Sequence, residues 1–336
     1  MSQIAESSRV SAARAGDEGE FRALVEPYRR ELLAHCYRML GTPSDAEDLV
    51  QETMLRAWRH LDTFRGESSF RAWLYKIATN ASLNVLAGRK TRTMPTETHP
   101  PAEARAPIGQ PSTEHEWLEP IPDALIGGGV GDAEDRYLAR ESVALAFLIA
   151  LQRLPPRQRA VLLLRDVLGF SADEAGEALE LTVASVESLL ARARTTLAPV
   201  HTASRVRRSD EGERALLDRY VRAWESGDVG SLVALLREDA TLVMPPVPSW
   251  FLGRASIHDF LGATLLAVPG SAVRLIPVAA NRQPAFAVYS RRGSEGPLSL
   301  LGVQLVEVEG DAITGITTFV HPLTATRFGL AMTLEM

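Results

Sequence analysis

Cysteine, aromatic residues, lysine and long apolar runs are all scarce in this 336-residue sequence. The single cysteine, Cys36, excludes an intramolecular disulfide framework and fits a reducing compartment. No apolar run approaches the roughly 20 residues that a membrane-spanning helix needs, and the polar start lacks the apolar segment of a signal peptide. A glycine-rich phosphate loop and zinc-ligand spacing are also missing. We therefore expect a cytoplasmic protein with neither cofactor nor metal.

The composition is that of soluble globular material, with 46% hydrophobic and 23% charged residues, and the length predicts two or three domains. The net charge of −6 is unevenly distributed. Residues 1–90 carry 13 basic and 12 acidic side chains, 91–135 carry 2 and 9, 136–210 carry 11 and 8, and 211–336 carry 10 and 13. The acidic average therefore does not exclude a polyanionic partner for the first and third segments.

Residues 17–90 show helical periodicity. One apolar stripe recurs at i, i+3, i+4, i+7 and i+11, and its members are Phe21, Leu24, Val25, Tyr28 and Leu32. Ser44 with Glu47 gives a capping-box pattern that predicts the start of another helix, and a third helix follows Gly66. This segment is predicted to be a small all-helical bundle.

Residues 91–135 are rich in proline and acidic residues and lack periodicity, which is typical of a linker. Its exception is the apolar stretch from Trp117 to Asp123. That stretch either docks on another surface or makes a partly buried hinge contact within the chain.

Residues 136–200 have the pattern of a helix-turn-helix. Helix is predicted from Arg136 to Leu151, Ser171 with Glu174 predicts a cap for a short helix, and Thr182 predicts a cap for a longer one. The longer helix would read base edges in a major groove, and its candidate residues are Thr182, Ala184, Ser185, Glu187, Ser188, Ala191 and Arg192. Arg157, Arg159 and Arg194 are candidates for phosphate contacts. Plain packing of three helices explains the same apolar pattern.

The stretch from Phe64 to Asn84 interleaves aromatic rings with cations and amides. Rings stack on unpaired bases and cations follow the backbone, which is how single-stranded nucleic acid is held. The contact candidates are Phe64, Arg65, Arg71, Lys76, Asn80 and Asn84. The other rings of this stretch are expected to be core.

Two sets of segments carry a family resemblance. The first set is Asp45–Thr53 with Phe64–Gly66 and Trp73–Asn80, and the second is Leu154–Arg159 with Thr182–Val186. The first set resembles region 2, and the second resembles region 4, of bacterial sigma factors of the extracytoplasmic-function group. The resemblance implies that Asp45, Asp48, Gln51 and Glu52 face the clamp helices of the RNA polymerase β′ subunit. It also implies that residues 64–84 open and read the −10 element and that the helix from Thr182 reads the −35 element. The partners implied are core RNA polymerase, through its β′ clamp and β subunits, and promoter DNA, with no membrane.

Residues 211–336 have helices first and strands later, which favours an α+β domain. The order of elements, with Tyr220–Asp228 early, Gly253–Ile257 before a helix and strands last, resembles SnoaL-like domains of the ketosteroid-isomerase cone fold. Such a cone would enclose a small apolar ligand among Trp224, Met244, Trp250, Phe251, Phe286, Tyr289 and Phe319. His258, Asp259 and His321 are the nominal acid/base groups, but their positions form no persuasive pair, so no catalytic residue is assigned.

The sequence thus predicts a multidomain chain, with two all-α sigma domains followed by an α+β SnoaL-like cone. Its predicted function is that of a sigma factor regulated in cis by the C-terminal domain, and not of an enzyme. Two alternatives remain: an autonomous helix-turn-helix regulator, and a cone-fold enzyme or ligand sensor with a DNA-binding N-terminal part.

Overall fold

The chain divides into two compact units, one of Met1–Thr91 with Ala124–Ala198 and one of Arg92–Asp123 with Pro199–Met336. The structure, a computed structural model, describes residues 3–66, 68–105, 107–126, 143–203, 210–264, 268–320 and 322–335. The predicted helix start at Arg136, linker positions 127–135 and His321 lie outside the described residues. Among the described residues, no helix combines the length and the apolar character that crossing a membrane requires.

The first unit begins with a helical bundle that the apolar periodicity predicts. Its helices are α1 (Gln3–Arg14), α2 (Glu18–Val25), α3 (Arg29–Leu40), α4 (Pro43–Arg59) and α5 (Phe70–Ala87), and the short α6 (Pro95–Thr98) follows in the linker. The cap of α4 differs from the prediction. Thr42, not Ser44, is its N-cap and accepts from the Asp45 amide at 3.3 Å, because Pro43 at the first helical position moves the start two residues earlier.

The same unit contains the predicted helix-turn-helix. Its elements are α7 (Leu145–Arg153), α8 (Pro156–Leu162), a single π-helical turn (Leu163–Val167), α9 (Ala172–Leu179) and α10 (Val183–Ala203). The capping box of α9 is confirmed: the Ser171 hydroxyl accepts from the Glu174 amide at 3.1 Å, and the Glu174 carboxylate accepts from the Ser171 amide at 2.7 Å. At Gly176 a Cβ atom would lie 2.8 Å from the Leu181 carbonyl oxygen, so the tight turn before α10 requires glycine.

The second unit is an α+β domain built on one sheet. Its helices are α11 (Asp210–Ser226), α12 (Val229–Val233), α13 (Arg254–Ala263) and α14 (Pro322–Arg327). Its strands are β1 (Leu236–Val243), β2 (Trp250–Leu252), β3 (Ala272–Ala280), β4 (Gln283–Arg291), β5 (Leu298–Glu309), β6 (Ala312–Phe319) and β7 (Thr333–Leu334). The strand order is β2-β1-β6-β5-β4-β3, with β1 and β6 parallel and β7 paired with β5.

One face of this sheet forms the main core of the unit with α11 and α13. Tyr220 and Phe286 have ring centroids 5.9 Å apart, and the Phe251 and Phe260 rings are stacked at 4.0 Å. The opposite face carries a second apolar cluster around Ala287, Tyr289 and Leu298. The predicted order of helical domains and then an α+β domain is confirmed.

Candidate nucleic-acid and polymerase interface

The acidic side of α4 is presented to solvent in part. Asp48 and Gln51 are exposed, whereas Asp45 and Glu52 are half-buried and paired. Asp45 forms an ion pair with Arg89 at 2.8 Å, and Glu52 forms one with Arg56 at 2.6 Å. The sequence pattern missed Leu55, which lies one turn beyond Gln51 and is 50% exposed. Asp48, Gln51 and Leu55 therefore make a mixed acidic and apolar surface suited to a protein partner.

Phe64 is placed differently from the prediction. It is buried, with its ring centroid 5.4 Å from that of Phe70 and 5.5 Å from that of Trp73, so it is a core residue and not a free stacking platform. Phe64 lies outside the helical stripe, which is why periodicity did not predict its burial. Trp73, expected to be buried, is only half-buried. The partly accessible aromatic ring on this surface is therefore that of Trp73.

The remaining candidates for the −10 surface divide into two groups. Arg65 and Asn84 are exposed and Lys76 is half-buried. Arg71 and Asn80 contact the helix-turn-helix instead of facing solvent alone. The Arg71 guanidinium lies 5.4 Å from the Phe170 ring centroid, and the Asn80 amide donates to the Ala178 carbonyl at 3.1 Å. The residues predicted to read DNA together are thus not all available together in this conformation.

The side of α10 that the sequence predicts to read base edges is largely exposed. Exposed side chains on it are Thr182, Ala184, Glu187, Ser188, Ala191 and Arg192, and Ser185 is half-buried. The Thr182 hydroxyl caps the helix by accepting from the Ser185 amide at 3.2 Å. Val183, which the helical stripe places in the core, is 42% exposed, because it is the first residue of the helix and lies before the packed turn. An exposed aliphatic side chain there suits a thymine methyl group.

The three arginines predicted to hold phosphates have three different environments. Arg157 is exposed at the start of α8. Arg194 is exposed but bound to the Asp166 carboxylate through two hydrogen bonds of 2.9 and 2.7 Å. Arg159 is buried.

The burial of Arg159 overturns its prediction as a surface phosphate contact. Its guanidinium donates to the Met39 carbonyl and to three acceptors within its own region: the Gln152 side chain at 2.6 Å, the Gln152 carbonyl at 3.1 Å and the Leu154 carbonyl at 3.3 Å. Burial lowers the pKa of Arg159 to about 10, so the side chain stays charged at neutral pH. A two-residue difference from Arg157 turns it by about 200° around the helix, from solvent into the protein.

The aromatic set predicted to line one pocket is split between the two sides of the sheet. Trp224, Met244, Phe251 and Phe286 belong to the main core. Trp250, Tyr289 and Phe319 lie on the opposite face, because successive residues of a strand point to opposite faces. Trp250 is next to Phe251, and Tyr289 is three residues from Phe286. Phe319 lies across from Val303, which pairs with Ala287 of the opposite face. Tyr289 donates to the Ala331 carbonyl at 2.9 Å, and Trp250 to the His99 carbonyl at 2.8 Å.

The four residues of the main core pack directly on other side chains of that cluster. Beside them, the Tyr220 hydroxyl donates to the Gln304 side chain at 2.6 Å. A shallow cavity of about 260 Å³ lies elsewhere, at the end of α11, among Arg219, Arg222, Ser226 and Asp228. The single apolar pocket of the prediction is therefore not formed by these seven residues.

His35 and Cys36 are both buried in the bundle. The His35 imidazole lies 2.9 Å from the Thr79 hydroxyl through Nε2 and packs edge-on against Tyr75. Burial lowers the pKa of His35 to about 3 and raises that of the Cys36 thiol to about 12, so both are neutral at pH 7. Across the described ranges, no three His, Cys, Asp or Glu side chains cluster as metal ligands.

Comparison with known proteins decides between the alternatives. Residues 24–92 match the family Sigma-70 region 2, residues 145–197 match Sigma-70 region 4, and residues 217–316 match the SnoaL-like domain. The chain is 42% identical over 316 residues to the ECF RNA polymerase sigma factor SigG of Mycobacterium tuberculosis, covering 93% of this chain and 84% of that one. The chain belongs to the ECF family of RNA polymerase sigma factors.

Other relatives agree with this assignment. The ECF sigma factor SigW of Bacillus subtilis is 27% identical over 56% of this chain and 92% of its own. The crystal structure of the M. tuberculosis ECF sigma factor SigJ has the same fold, with a TM-score of 0.58 at 19% identity, and covers 92% of this chain and 99% of that one. As an ECF sigma factor the chain binds core RNA polymerase and promoter DNA and directs transcription initiation, and it is not an enzyme.

Proposed function

We propose that this sigma factor uses three separate surfaces for transcription and that its C-terminal domain regulates it in cis by holding the linker. Residues 17–90 act as region 2, residues 136–200 as region 4 and residues 211–336 as the regulatory domain, with 91–135 joining them. The observation that carries the regulatory part is a set of hydrogen bonds between linker residues 99–123 and the sheet.

The first surface is the α4 face of Asp48, Gln51 and Leu55, which we assign to the polymerase β′ clamp. The exposed acid gives charge complementarity to a basic partner, and the exposed leucine supplies apolar area at its centre. The half-buried Asp45 and Glu52 contribute through their ion pairs with Arg89 and Arg56, which fix the flanks of the face.

The second and third surfaces read DNA. The −10 surface consists of the half-buried Trp73 and five polar side chains: Arg65, Arg71, Lys76, Asn80 and Asn84. Their cations suit the DNA backbone and the Trp73 ring suits stacking on an unpaired base. In this conformation Arg71 and Asn80 contact region 4. On α10, Arg192 suits guanine and Glu187 suits cytosine, while Val183 suits a thymine methyl. Arg157 on α8 and Arg194 on α10 are exposed and are suited to phosphates.

The linker is bound along much of its length within the second unit. At one end the Trp250 indole donates to the His99 carbonyl at 2.8 Å, and the Ala102 amide donates to the Trp250 carbonyl at 2.7 Å. At the other end the turn between β3 and β4 forms two hydrogen bonds to Ile121: the Asn281 side chain accepts from its amide at 2.9 Å, and the Asn281 amide donates to its carbonyl at 3.0 Å. The predicted Trp117 stretch is thus a buried contact within the chain.

This contact supports cis regulation because a linker held on the sheet is not free to follow a channel of polymerase. Asn281 and Arg282 are the two central residues of the hairpin and have φ angles of 51° and 52°, a conformation that asparagine tolerates well. The Arg282 amide also donates to the Asp123 carboxylate at 2.8 Å. The same turn that closes the hairpin therefore holds the end of the linker.

The direct test of the sigma function is run-off transcription with purified core polymerase on genomic fragments. We expect specific transcripts from the full chain, and the absence of any specific transcript would contradict the sigma function.

Asp48→Arg should weaken core binding about tenfold, measured by fluorescence anisotropy, because it places a cation against a basic partner. Asp62→Arg, an exposed reversal outside the α4 face, is the matched control. Equal affinity of both variants for core polymerase would mean that the α4 face is not part of the interface.

The regulatory part is tested by Asn281→Gly, which keeps the turn conformation but deletes the side-chain bond to Ile121. The loss of one buried hydrogen bond, worth about 1 kcal/mol, should increase hydrogen exchange at residues 118–123 about fivefold and raise run-off transcription. Asp311→Gly, in the exposed β5–β6 turn, is the control. Unchanged exchange in the linker, or faster exchange with unchanged transcription, would contradict regulation through this contact.

A further inference from the structure

Regions 2 and 4 are joined by side chains that cap helix ends across the boundary between them. Helix α3 ends at Leu40, where Gly41 adopts a φ of 83° and its amide bonds back to the Tyr37 carbonyl. The carbonyls of Arg38 and Met39 have no following helical turn to bond. Region 4 supplies their partners: the Gln152 side chain donates to the Arg38 carbonyl at 3.3 Å, and the Arg159 guanidinium donates to the Met39 carbonyl.

The cation of Arg159 suits this position electrostatically. Carbonyl dipoles make the C-terminal end of a helix partly negative, and a buried cation aligned with that end is stabilised. Its other acceptors, the side chain and carbonyl of Gln152 and the Leu154 carbonyl, fix its direction. Arg159 and Gln152 together are a cap that α7 and α8 provide to α3.

The second cap runs in the opposite direction. Helix α9 of region 4 ends at Leu179, and its Ala178 carbonyl belongs to the last turn. Asn80 of α5 in region 2 donates to that carbonyl at 3.1 Å. Each region thus satisfies orphan carbonyls of the other, which gives the contact a fixed geometry that apolar packing alone would not.

An aromatic contact lies beside the second cap. The Phe170 ring, at the turn before α9, packs edge-on against Tyr75 with centroids 5.6 Å apart and is buried. The Arg71 guanidinium lies 5.0 Å from the Tyr75 centroid and 5.4 Å from the Phe170 centroid. A cation shared by two rings adds to the attraction between the regions.

We propose that these contacts form a latch that keeps the free sigma factor self-inhibited, with region 4 covering part of the −10 surface of region 2. Arg71 and Asn80 cannot bind Phe170 and Ala178 and also bind opened DNA, so engaging the −10 strand requires the latch to open. This inference rests on the proposed DNA surface of α5. Region 4 and the opened DNA strand compete for the same two side chains.

The latch is tested in the full chain with residues that lie outside the proposed DNA surfaces. In the double variant Gln152→Ala, Phe170→Leu, the first substitution deletes the donor to the Arg38 carbonyl and one acceptor of Arg159. The second substitution removes the ring that packs against Tyr75 and Arg71. Val186→Ala is the matched control, because it loses buried apolar volume inside region 4 and leaves the contacts to region 2 in place. Circular dichroism verifies that all variants fold.

Opening is measured with spin labels on His60→Cys and Glu177→Cys, two exposed positions in region 2 and region 4. Cys36 is buried and does not compete for the label. Double electron–electron resonance should show one narrow distribution of label-to-label distances for the wild type and for Val186→Ala. The latch variant should show a longer and broader distribution. A wild type that is already broad, or a latch variant that stays narrow, would overturn the latch.

Inhibition is measured separately by binding of a mixed-sequence single-stranded DNA 20-mer at low salt. The latch variant should bind at least about tenfold more tightly than the wild type, with Val186→Ala unchanged. An opened variant with wild-type DNA affinity would contradict self-inhibition. Run-off transcription with core polymerase distinguishes this failure from failure of the sigma function. If an opened variant gives transcripts but binds DNA no more tightly than the wild type, the latch is refuted and the sigma function is not.

Discussion

The two helices assigned to DNA reading, α5 and α10, differ in how much of their reading surface is accessible. On α10 the predicted residues from Thr182 to Arg192 are exposed, apart from the half-buried Ser185. On α5 and the turn before it, Phe64 is buried in the core, and Arg71 and Asn80 are engaged by region 4. The surface proposed on α10 is accessible, whereas the surface proposed on α5 is partly occupied by the same chain.

This difference shows what helical periodicity can and cannot predict. Periodicity assigns each residue to one side of its helix, and the packed side of α10 follows from it at Val186, Leu190, Ala193 and Leu197. It does not reveal that a second region covers the outward side of a helix, because that contact joins residues about 100 positions apart. Arg157 and Arg159 show the difference within a single turn.

The largest effect is expected from Arg159→Ala. The change leaves the Met39 carbonyl and the Gln152 side chain buried without their donor and deletes a large packed side chain, so the free energy of unfolding should fall by about 3 kcal/mol. Arg157→Ala, two residues away and exposed, should change stability by no more than about 0.5 kcal/mol and weaken DNA binding instead. Urea denaturation of both variants is the measurement. Equal stabilities would mean that Arg159 is a surface residue in solution.

Much of the fold followed from sequence, and the reasons are local. The Ser171–Glu174 capping box and the Thr182 cap are short-range signals, and the structure has both. The start of α4 was misplaced because the Ser44–Glu47 pair has the right spacing, but Pro43 and Thr42 provide a better first turn. Local signals therefore determined which helices exist, and competing local signals determined the errors at their ends.

The pocket residues of the C-terminal domain show a second limit. Phe286 and Tyr289 are three residues apart in β4, so strand alternation alone places them on opposite faces, but that argument requires the strand boundaries to be known beforehand. For Trp250 the register with β1 decides the face, since it pairs with Val243 while Phe251 pairs with Leu242. The residues predicted to line one pocket therefore pack on two different faces of the sheet and do not share a pocket.

A smaller effect, on specificity, is expected from Arg192→Ala on the accessible helix. If the guanidinium binds a base edge, affinity for the preferred −35 sequence should fall by about 2 kcal/mol, with tolerance of other bases at one position. Arg194→Ala is the comparison, because Arg194 is already paired with Asp166 and is suited to a phosphate. It should weaken binding to all sequences alike. Selection of binding sites from a randomised duplex pool measures both, and a uniform loss for Arg192→Ala would make it a phosphate contact.

The smallest effect is expected on the pH dependence of the free energy of unfolding, through His35 beside α5. His35 contacts Thr79 of α5, and its pKa is about 3 in the folded chain against an ordinary value of 6.5. Between these values only the unfolded chain binds the proton, so acid favours unfolding, and from pH 7.5 to pH 5.5 the histidine should cost about 1 kcal/mol. His35→Gln keeps a polar group beside Thr79 but does not titrate, and it should reduce the loss of stability on acidification by that amount. Identical pH dependence in the two proteins, measured by urea denaturation, would mean that His35 titrates normally and that α5 is not anchored on a neutral imidazole.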